Sequence, residues 1–292
     1  MAEFIEFTLS GLATGMIYAA IALALVLIWR GTRVLNYAQG AMAMFTAYIA
    51  LTVINDTGSY WLGFAVALIA GLVLGAVVER TVIRPVTGKP PLNAIVVSIG
   101  MLIGFEGLAG VLYSSNNRSF PSAFSSINGL SIGSVALGIT TNDLFTAAAV
   151  LAAAGLLAVA FRFTSIGLQL RATAFNAAVA RLLGVRVGRM LTLGWALAGL
   201  IGALAGMLAS PPLLNPNSMD AIFVLGFTAA VIGGLESPVG AVAGGLLLGV
   251  VLSYAGGYLG SESVDLFGLA ALVLVLMVRP TGLFSAAPSR RV

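Results

Sequence analysis

Residues 11–29, GLATGMIYAAIALALVLIW, contain no charged side chain. A helix needs about 20 apolar residues to cross the hydrocarbon core of a bilayer, so this stretch is long enough for one crossing. The region before it carries Glu3 and Glu6 instead of basic residues, which argues against a cleavable signal peptide. The stretch therefore predicts a transmembrane helix that stays in the protein.

The whole chain has the composition of a membrane protein. Hydrophobic residues make up 60% of its 292 residues and charged residues 8%, and the mean hydropathy is +1.07. A soluble domain carries roughly 25% charged residues, so we predict one integral membrane domain over residues 1–292. The sequence has no cysteine and no histidine, which removes disulfides, thiolate metal sites and the commonest metal ligand. We therefore expect no metal site.

Hydropathy predicts an all-α, polytopic bundle of eight or nine spans. Segment 37–54 has a polar start and is either a full span or a broken, re-entrant helix. The last segment is the shortest. The nine candidates are residues 7–29, 37–54, 60–78, 92–113, 143–161, 190–210, 219–235, 238–258 and 264–278.

The basic residues predict the orientation. If the N-terminus is outside and all nine segments cross, thirteen of the fourteen Lys and Arg residues fall on the inner side and only Arg118 falls outside. Cytoplasmic loops carry the excess of Lys and Arg in membrane proteins, so we predict N-terminus out and C-terminus in. This leaves no exposed basic patch for nucleic acid. The thirteen are Arg30, Arg33, Arg80, Arg84, Lys89, Arg162, Arg171, Arg181, Arg186, Arg189, Arg279, Arg290 and Arg291.

Two loops differ from simple connections. Residues 114–142 form the longest predicted external loop and are rich in Ser, Asn and Gly, which fits a small hairpin or an interfacial helix. Residues 163–189 are cytoplasmic in this topology, and five arginines occur from Arg162 to Arg189. Thr164 or Ser165 can cap a short helix that runs to about Phe175. Asn176 can cap a second helix, which Gly184 closes.

Few polar side chains lie within the spans, and they are the candidates for a translocation path. Glu106 is a carboxylate inside the fourth span, which faces either a cavity or a packing partner because its exposure to lipid is costly. Asn36 and Gln39 begin the second span, as a polar gate or, for Asn36, as a helix cap. Tyr18 in the first span is a further candidate, although hydroxyl groups in spans commonly just bond neighbouring helices.

Six pairs of glycines are spaced four residues apart, a pattern that lets helix backbones approach closely in lipid. They predict a compact bundle and say nothing of its activity. No HExxH, GxSxG or nucleotide-binding loop is present, so we predict no catalytic residues and no ATP site in this chain. The pairs are Gly11/Gly15, Gly71/Gly75, Gly100/Gly104, Gly202/Gly206, Gly240/Gly244 and Gly245/Gly249.

Several stretches together resemble one family, the permease subunits of ABC importers for branched-chain amino acids, of the LivH/LivM type. They are GLATGMIYAAIALALVLIW (11–29), LNYAQGAMAMFTAYIA (35–50), GLQLRATAFNAAVARLLGV (167–185), AAVIGGLESPVGAVAGGLLLG (229–249) and VRPTGLF (278–284). Urea, amide and other small-solute permeases share these motifs. The sequence departs from the pattern at Gln39, where His is usual, at Asn176, where an acid is common, and near Glu106, where an amide is more frequent.

The resemblance implies a multi-pass permease of the cytoplasmic membrane that moves a small polar solute, either a branched-chain amino acid or a urea- or amide-like solute. Its partners would be a second, LivM-like permease subunit, two cytoplasmic ATPases that hold ATP and Mg²⁺, and an external solute-binding protein. Residues 163–189 would then be the segment that docks into the ATPase. The residues expected to carry this coupling are Asn176, Ala177, Ala180, Arg181, Leu182, Leu183 and Gly184. A self-sufficient channel is the alternative, although no filter motif is visible.

The predicted orientation can be tested with reporter fusions. Fusions after Lys89, after Arg186 and at the C-terminus should report the cytoplasm, and a fusion at Asn128 should report the outside, because the positive charges hold their loops inside. Alkaline phosphatase and green fluorescent protein activities of the fusions measure this. An external signal at Arg186 would reverse the orientation.

Overall fold

The computed structural model describes residues 2–124, 129–132, 135–210, 212–279 and 281–284. Within these residues the chain forms eleven α-helices and four short strands, which confirms the all-α class. The helices are α1 (Ala2–Thr32), α2 (Gln39–Thr57), α3 (Tyr60–Val78), α4 (Pro91–Tyr113), α5 (Thr141–Phe163), α6 (Ser165–Phe175), α7 (Ala177–Leu182), α8 (Val187–Ala209), α9 (Asp220–Gly233), α10 (Pro238–Leu259) and α11 (Ser263–Val278).

Nine of these helices correspond to the nine predicted segments, and α6 and α7 are the two short helices of the loop between them. Six helices are long and apolar enough to cross a membrane: α1, α3, α4, α5, α8 and α10. The helix α2 is continuous over 19 residues, so the broken-helix alternative is wrong. The helices α9 and α11 have 14 and 16 residues and are the short apolar members of the bundle.

The cytoplasmic end of α3, as the predicted orientation places it, is longer than hydropathy predicted. A π-helical turn over Glu79–Ile83 and a 3₁₀ turn over Arg84–Val86 continue the helix. Pro85 fits the 3₁₀ turn because a proline has no backbone N–H to place in a helical ladder. The chain then reaches α4 through an exposed loop that contains Lys89.

The helix α1 forms the centre of the bundle. It packs against α10, α8, α9 and α5, and its residues 19–28 are all buried. The alanines Ala20, Ala22 and Ala24 have no exposed surface, so neighbouring helices surround α1 on every side at this level. This burial explains why the first helix has no polar face.

Glycines create the closest helix contacts. A Cβ atom added at Gly11 would lie 2.7 Å from the Val250 backbone, and one at Gly245 would lie 2.6 Å from the backbone of Ala19. In the same way, a side chain at Gly75 would clash with the carbonyl oxygen of Trp195. Five of the six glycine pairs therefore lie at helix contacts, as the spacing predicted.

The sixth glycine pair, Gly100/Gly104, does not lie at a helix contact. No atom of another helix lies within 4 Å of the Cβ position of Gly100 or Gly104. Both glycines lie on an outward face of α4, where Ile103 and Val111 are also exposed. The spacing of small residues is a local pattern, and it does not reveal which helix face has a neighbour.

The two ends of the bundle gather different loops. At one end β1 (Arg118–Ser119) pairs antiparallel with β4 (Leu213–Leu214), and β2 (Gly129–Ile132) forms a hairpin with β3 (Val135–Thr140). The loop 114–142 therefore contains the hairpin, one of the two expected alternatives. At the other end Arg33 forms an ion pair with Glu236 of the α9–α10 turn, and Leu283 of the C-terminal segment donates a backbone hydrogen bond to Ile232.

Each of these pairings joins loops that the predicted topology places on the same side of the membrane. The first end holds the predicted external loops, and the second holds the predicted cytoplasmic ones. Arg290 and Arg291, counted above among the inner charges, lie outside the described residues. Which side of the membrane each end faces stays a prediction.

The glycine contacts can be tested with a matched pair of substitutions. Gly75→Ala should lower the melting temperature of the detergent-purified protein, because the added methyl group overlaps the Trp195 carbonyl and overpacking costs about 1–3 kcal/mol. Gly100→Ala should leave it unchanged or raise it slightly, since alanine favours helix by about 1 kcal/mol and the space is open. Equal melting temperatures for the two variants would contradict this helix arrangement.

Candidate translocation path and coupling segment

The α1–α2 junction contains a closed pair of amides. Asn36 donates from Nδ2 to Oε1 of Gln39 over 3.0 Å, and its Oδ1 accepts the Ala38 N–H over 3.1 Å. Both amide side chains are fully buried. The N-cap position of α2 is Ala38, so the interpretation of Asn36 as the helix cap is wrong. Asn36 instead begins an Asx turn with Ala38, three residues before the first residue of the helix.

The same pair is anchored to α8. Nε2 of Gln39 donates to the carbonyl oxygen of Ala198 over 3.2 Å. A side chain at Gly202 would clash with that Nε2 atom, so glycine leaves room for the amide. Buried amides are costly unless they are hydrogen-bonded, and here both are. In this conformation they form a polar lock between the α1–α2 junction and α8.

Glu106 lies near the other end of the bundle. It is partly exposed on α4 and lines an open cleft of about 670 Å³ together with Ser115, Asn117, Asn215 and Asn217. Asn215 donates to Asn117 over 3.0 Å, a contact that joins the loops after α4 and α8. The cleft is therefore polar and opens at the predicted external end.

A second carboxyl group approaches Glu106. Asp220, the first residue of α9, is near enough to act electrostatically on Glu106, and it accepts a hydrogen bond from Asn217 over 3.2 Å. The sequence predicted Glu106 as a lone carboxylate within a span and gave no role to Asp220, at the start of segment 219–235, so the pair was missed. The signal was the polar run NPNSMD (215–220) directly before an apolar helix.

The four proposed path residues do not form one site. Rings of Phe45 on α2 and Phe105 on α4 lie 5.5 Å apart. Gln39 precedes Phe45 by six residues on α2, and Glu106 directly follows Phe105 on α4. The predicted topology makes these two helices parallel, so at a rise of 1.5 Å per residue Gln39 and Glu106 lie roughly 10 Å apart along the helix axes. Tyr18 is buried in the core around α1. Their shared role in a path stays a prediction.

The coupling segment has the caps that the sequence predicted. Thr164 accepts the Gly167 N–H over 3.0 Å and begins α6. Asn176 accepts the N–H groups of Ala178 and Val179 over 3.0 and 3.1 Å and begins α7. Gly184 has φ +82°, a left-handed conformation that favours glycine. The two short helices are thus fixed by their own local hydrogen bonds.

The exposed face of this segment is apolar. Leu182 and Leu183 are 87% and 75% exposed, and Phe175, predicted only as the end of a helix and not as a coupling residue, is 93% exposed. Ala177 and Arg181 are exposed as well. Ala180 is only 1% exposed, so its expected contact with a partner is wrong: it packs within this chain on the inner side of α7.

An ion pair with a buried carboxylate, at the end of α3, is hydrogen-bonded to the start of α8. Glu79 is 1% exposed and accepts hydrogen bonds from Arg84 at 3.1 and 2.8 Å. Arg84 also donates to the carbonyl of Gly188 at 2.9 Å, and the hydroxyl of Thr192 donates to Glu79 at 2.8 Å. The sequence predicted Arg84 only as one of the inner charges and gave no role to Glu79. These hydrogen bonds hold the first turns of α8, which follow the coupling segment, against the end of α3.

Comparison with known proteins agrees with this architecture. The family described as "Branched-chain amino acid transport system / permease component" matches residues 7–278. The permease LivH of Escherichia coli K12 is 30% identical over 96% of this chain and 95% of its own length. BraD of Pseudomonas aeruginosa, also named a branched-chain amino acid permease, is 27% identical over the same shares.

More distant similarities are compatible with these. The fructose import permease FruF of Bifidobacterium longum is 24% identical over 92% of this chain and 71% of its own length. A solved metal-chelate type ABC transporter in an inward-facing conformation has a TM-score of 0.50 at 15% identity, covering 94% of this chain and 86% of that one. This structural likeness concerns the fold alone.

The chain therefore belongs to the family of permease components of branched-chain amino acid transport systems. It is a multi-pass membrane subunit of an ABC importer and a transport component, not an enzyme. Permease components of this kind work with ATPase and substrate-binding partners.

The carboxyl pair gives a direct test of the path. If Glu106 lines it, Glu106→Gln should change the uptake rate several-fold with normal membrane expression, and Glu106→Leu should reduce it further because leucine removes all hydrogen bonding. The measurement is solute uptake in cells or proteoliposomes.

Asp56→Asn is the control, since Asp56 is an exposed carboxylate at the end of α2, away from the cleft. It should transport at the parental rate. Parental uptake in both Glu106 variants would assign Glu106 to helix packing.

Proposed function

We propose that this permease moves branched-chain amino acids, or a closely related small polar solute, into the cytoplasm. The matches to LivH and BraD over nearly the whole chain support this solute class. A relative named for fructose import also covers 92% of the chain, so overall similarity does not by itself decide the solute. Urea and amides are the second candidates, because Gln39, Asn117, Asn215 and Asn217 provide amide groups.

The observation that supports an ATP-driven importer is the face of α6 and α7. Phe175, Leu182 and Leu183 present large apolar side chains to solvent next to Arg181. Exposed apolar surface of this kind marks an interaction site, and an apolar helix face fits a groove in another protein. The proposed occupant is the ATPase, at the end of the bundle that holds most basic residues.

The proposed assembly contains a second permease subunit, homologous and LivM-like, two ATPases and an external solute-binding protein. ATP and Mg²⁺ bind the ATPases, and this chain holds no cofactor of its own. Closure of the ATPases would move α6 and α7 as a unit. Because α8 follows this segment and holds Gln39 through Ala198, the movement would reach the amide lock.

The coupling role can be tested at the exposed face. Leu183→Asp should place an unpaired charge in the ATPase groove, which costs several kcal/mol. Gly184→Val should force a β-branched residue into a left-handed position. We expect both variants to insert normally and to lose ATPase co-purification or solute-stimulated ATP hydrolysis.

Thr87→Asp adds a charge to another exposed loop at the same end of the bundle and serves as the control. It should keep the ATPases bound. If Leu183→Asp and Gly184→Val also retain the ATPases and transport at the parental rate, the segment is only a basic loop and the coupling proposal is wrong.

The solute can be tested with the assembled importer in proteoliposomes. Radiolabelled leucine should accumulate only with internal ATP and the solute-binding protein, and excess isoleucine or valine should compete while urea does not. Competition by urea or acetamide alone would favour the amide class. Accumulation without ATPases would favour the self-sufficient channel.

A further inference from the structure

An open apolar groove of about 540 Å³ runs between α1, α5 and α10. Leucines, alanines and Phe161 line it, and Arg30 is the one charged residue among the described lining residues. Leu151 and Val239 at its edges are 51% and 76% exposed. The groove is therefore open toward the surroundings of the bundle, with a cation at the end that the topology predicts to be cytoplasmic.

Arg30 is not neutralised by a carboxylate of its own. The two ion pairs within the described residues belong to Arg33 with Glu236 and to Arg84 with Glu79. The guanidinium of Arg30 lies 5.9 Å from the centre of the Phe161 ring. Arg33 and Arg171 are near enough to act on it, as is Glu236. Three guanidinium groups thus share one carboxylate, and the local charge is positive.

A second, smaller cavity meets the groove at this arginine. It holds about 20 Å³ between α1, α6 and α8, and it shares Leu27, Arg30 and Phe161 with the groove. Thr173 and Trp195 line it. Among the described residues their hydroxyl and indole nitrogen have no hydrogen-bond partner, although both side chains are more than nine-tenths buried.

These groups share one chemical property. A guanidinium and an indole N–H only donate hydrogen bonds, and a threonine hydroxyl can donate one. Three groups that can each donate a hydrogen bond into one space suit an anionic oxygen. A space of 20 Å³ admits about one water-sized group, so a phosphate would lie at the mouth beside Arg30 and direct one oxygen, or a bridging water, inward.

We propose that the groove and the small cavity together bind one anionic phospholipid. An acyl chain lies in the groove along α1, α5 and α10, and the phosphate is held by Arg30 and Arg171. The apolar lining of the groove matches the acyl chain, and the positive charge at its end matches the phosphate. Basic pockets between transmembrane helices are known to bind anionic headgroups. A second copy of this chain fits less well, because it would place the same arginines opposite each other.

The test uses the full-length chain, purified in detergent, stripped of bound lipid and titrated with dioleoyl phosphatidylglycerol or dioleoyl phosphatidylcholine. Native mass spectrometry counts bound lipid, and the melting temperature gives the affinity. Phosphatidylglycerol should bind with one-to-one stoichiometry and raise the melting temperature, and phosphatidylcholine should do so much less.

Three variants locate the site. Arg30→Gln should weaken phosphatidylglycerol binding about five-fold, the effect of roughly 1 kcal/mol per basic residue, and Arg30→Lys should largely restore it. Gly155→Phe should block the groove for both lipids without unfolding the chain, because no atom beyond the adjacent turns of α5 lies within 4 Å of the Gly155 Cβ position. Lys89→Gln removes a cation from an exposed loop elsewhere at the same end and should bind as the parent does.

Three outcomes would overturn the inference: equal binding of both lipids with no effect of Arg30→Gln, an identical effect of inorganic phosphate alone, or a dimer that Gly155→Phe dissociates. The last two would assign the site to a small anion or to a second copy. None of these results depends on the solute or on the ATPase, so the inference and the proposed function can fail separately.

Discussion

The backbones of α1 and α10 lie against each other because Gly11, Gly15, Gly245 and Gly249 leave no side chains between them. In lipid, helices gain little from hiding apolar surface, so their association depends on close packing and on hydrogen bonds. The same α1 supplies Arg30, which lines the groove, and ends at the junction that holds Asn36. The position of this one helix therefore determines where the polar residues of the predicted cytoplasmic end can lie.

The helix α8 connects the features that a transporter must coordinate. It begins after α7 and the left-handed Gly184, its Thr192 is hydrogen-bonded to both members of the Glu79–Arg84 pair, and its Ala198 carbonyl accepts a hydrogen bond from Gln39. Arg84 and Glu79, at the end of α3, form hydrogen bonds with Gly188 and Thr192 of α8, so α3 and α8 should move together. A displacement of the coupling segment would then reach the amide lock through α8, which the short turn at residues 183–186 joins to α7.

Features encoded locally could be predicted from the sequence. Hydropathy gave the nine helical segments, and the Thr164 and Asn176 caps gave the two short helices, because both depend on residues close in the chain. Contacts between distant segments could not be predicted. The Glu106–Asp220 pair, the burial of Ala180, the Glu79–Arg84 network and the unpartnered faces of Gly100 and Gly104 all depend on which helices become neighbours.

The central claim is that the exposed face of α6 and α7 enters a groove of the ATPase while their inner face packs on this chain. Site-specific photo-crosslinking in the assembled importer tests it directly, with benzoyl-phenylalanine at Phe175, at Leu183 or at Leu156, an exposed position on the membrane-embedded helix α5. The account predicts adducts of the combined mass of permease and ATPase at Phe175 and Leu183 and none at Leu156. No ATPase adduct at either coupling position, with efficient adducts from another loop such as that of Lys89, would contradict it.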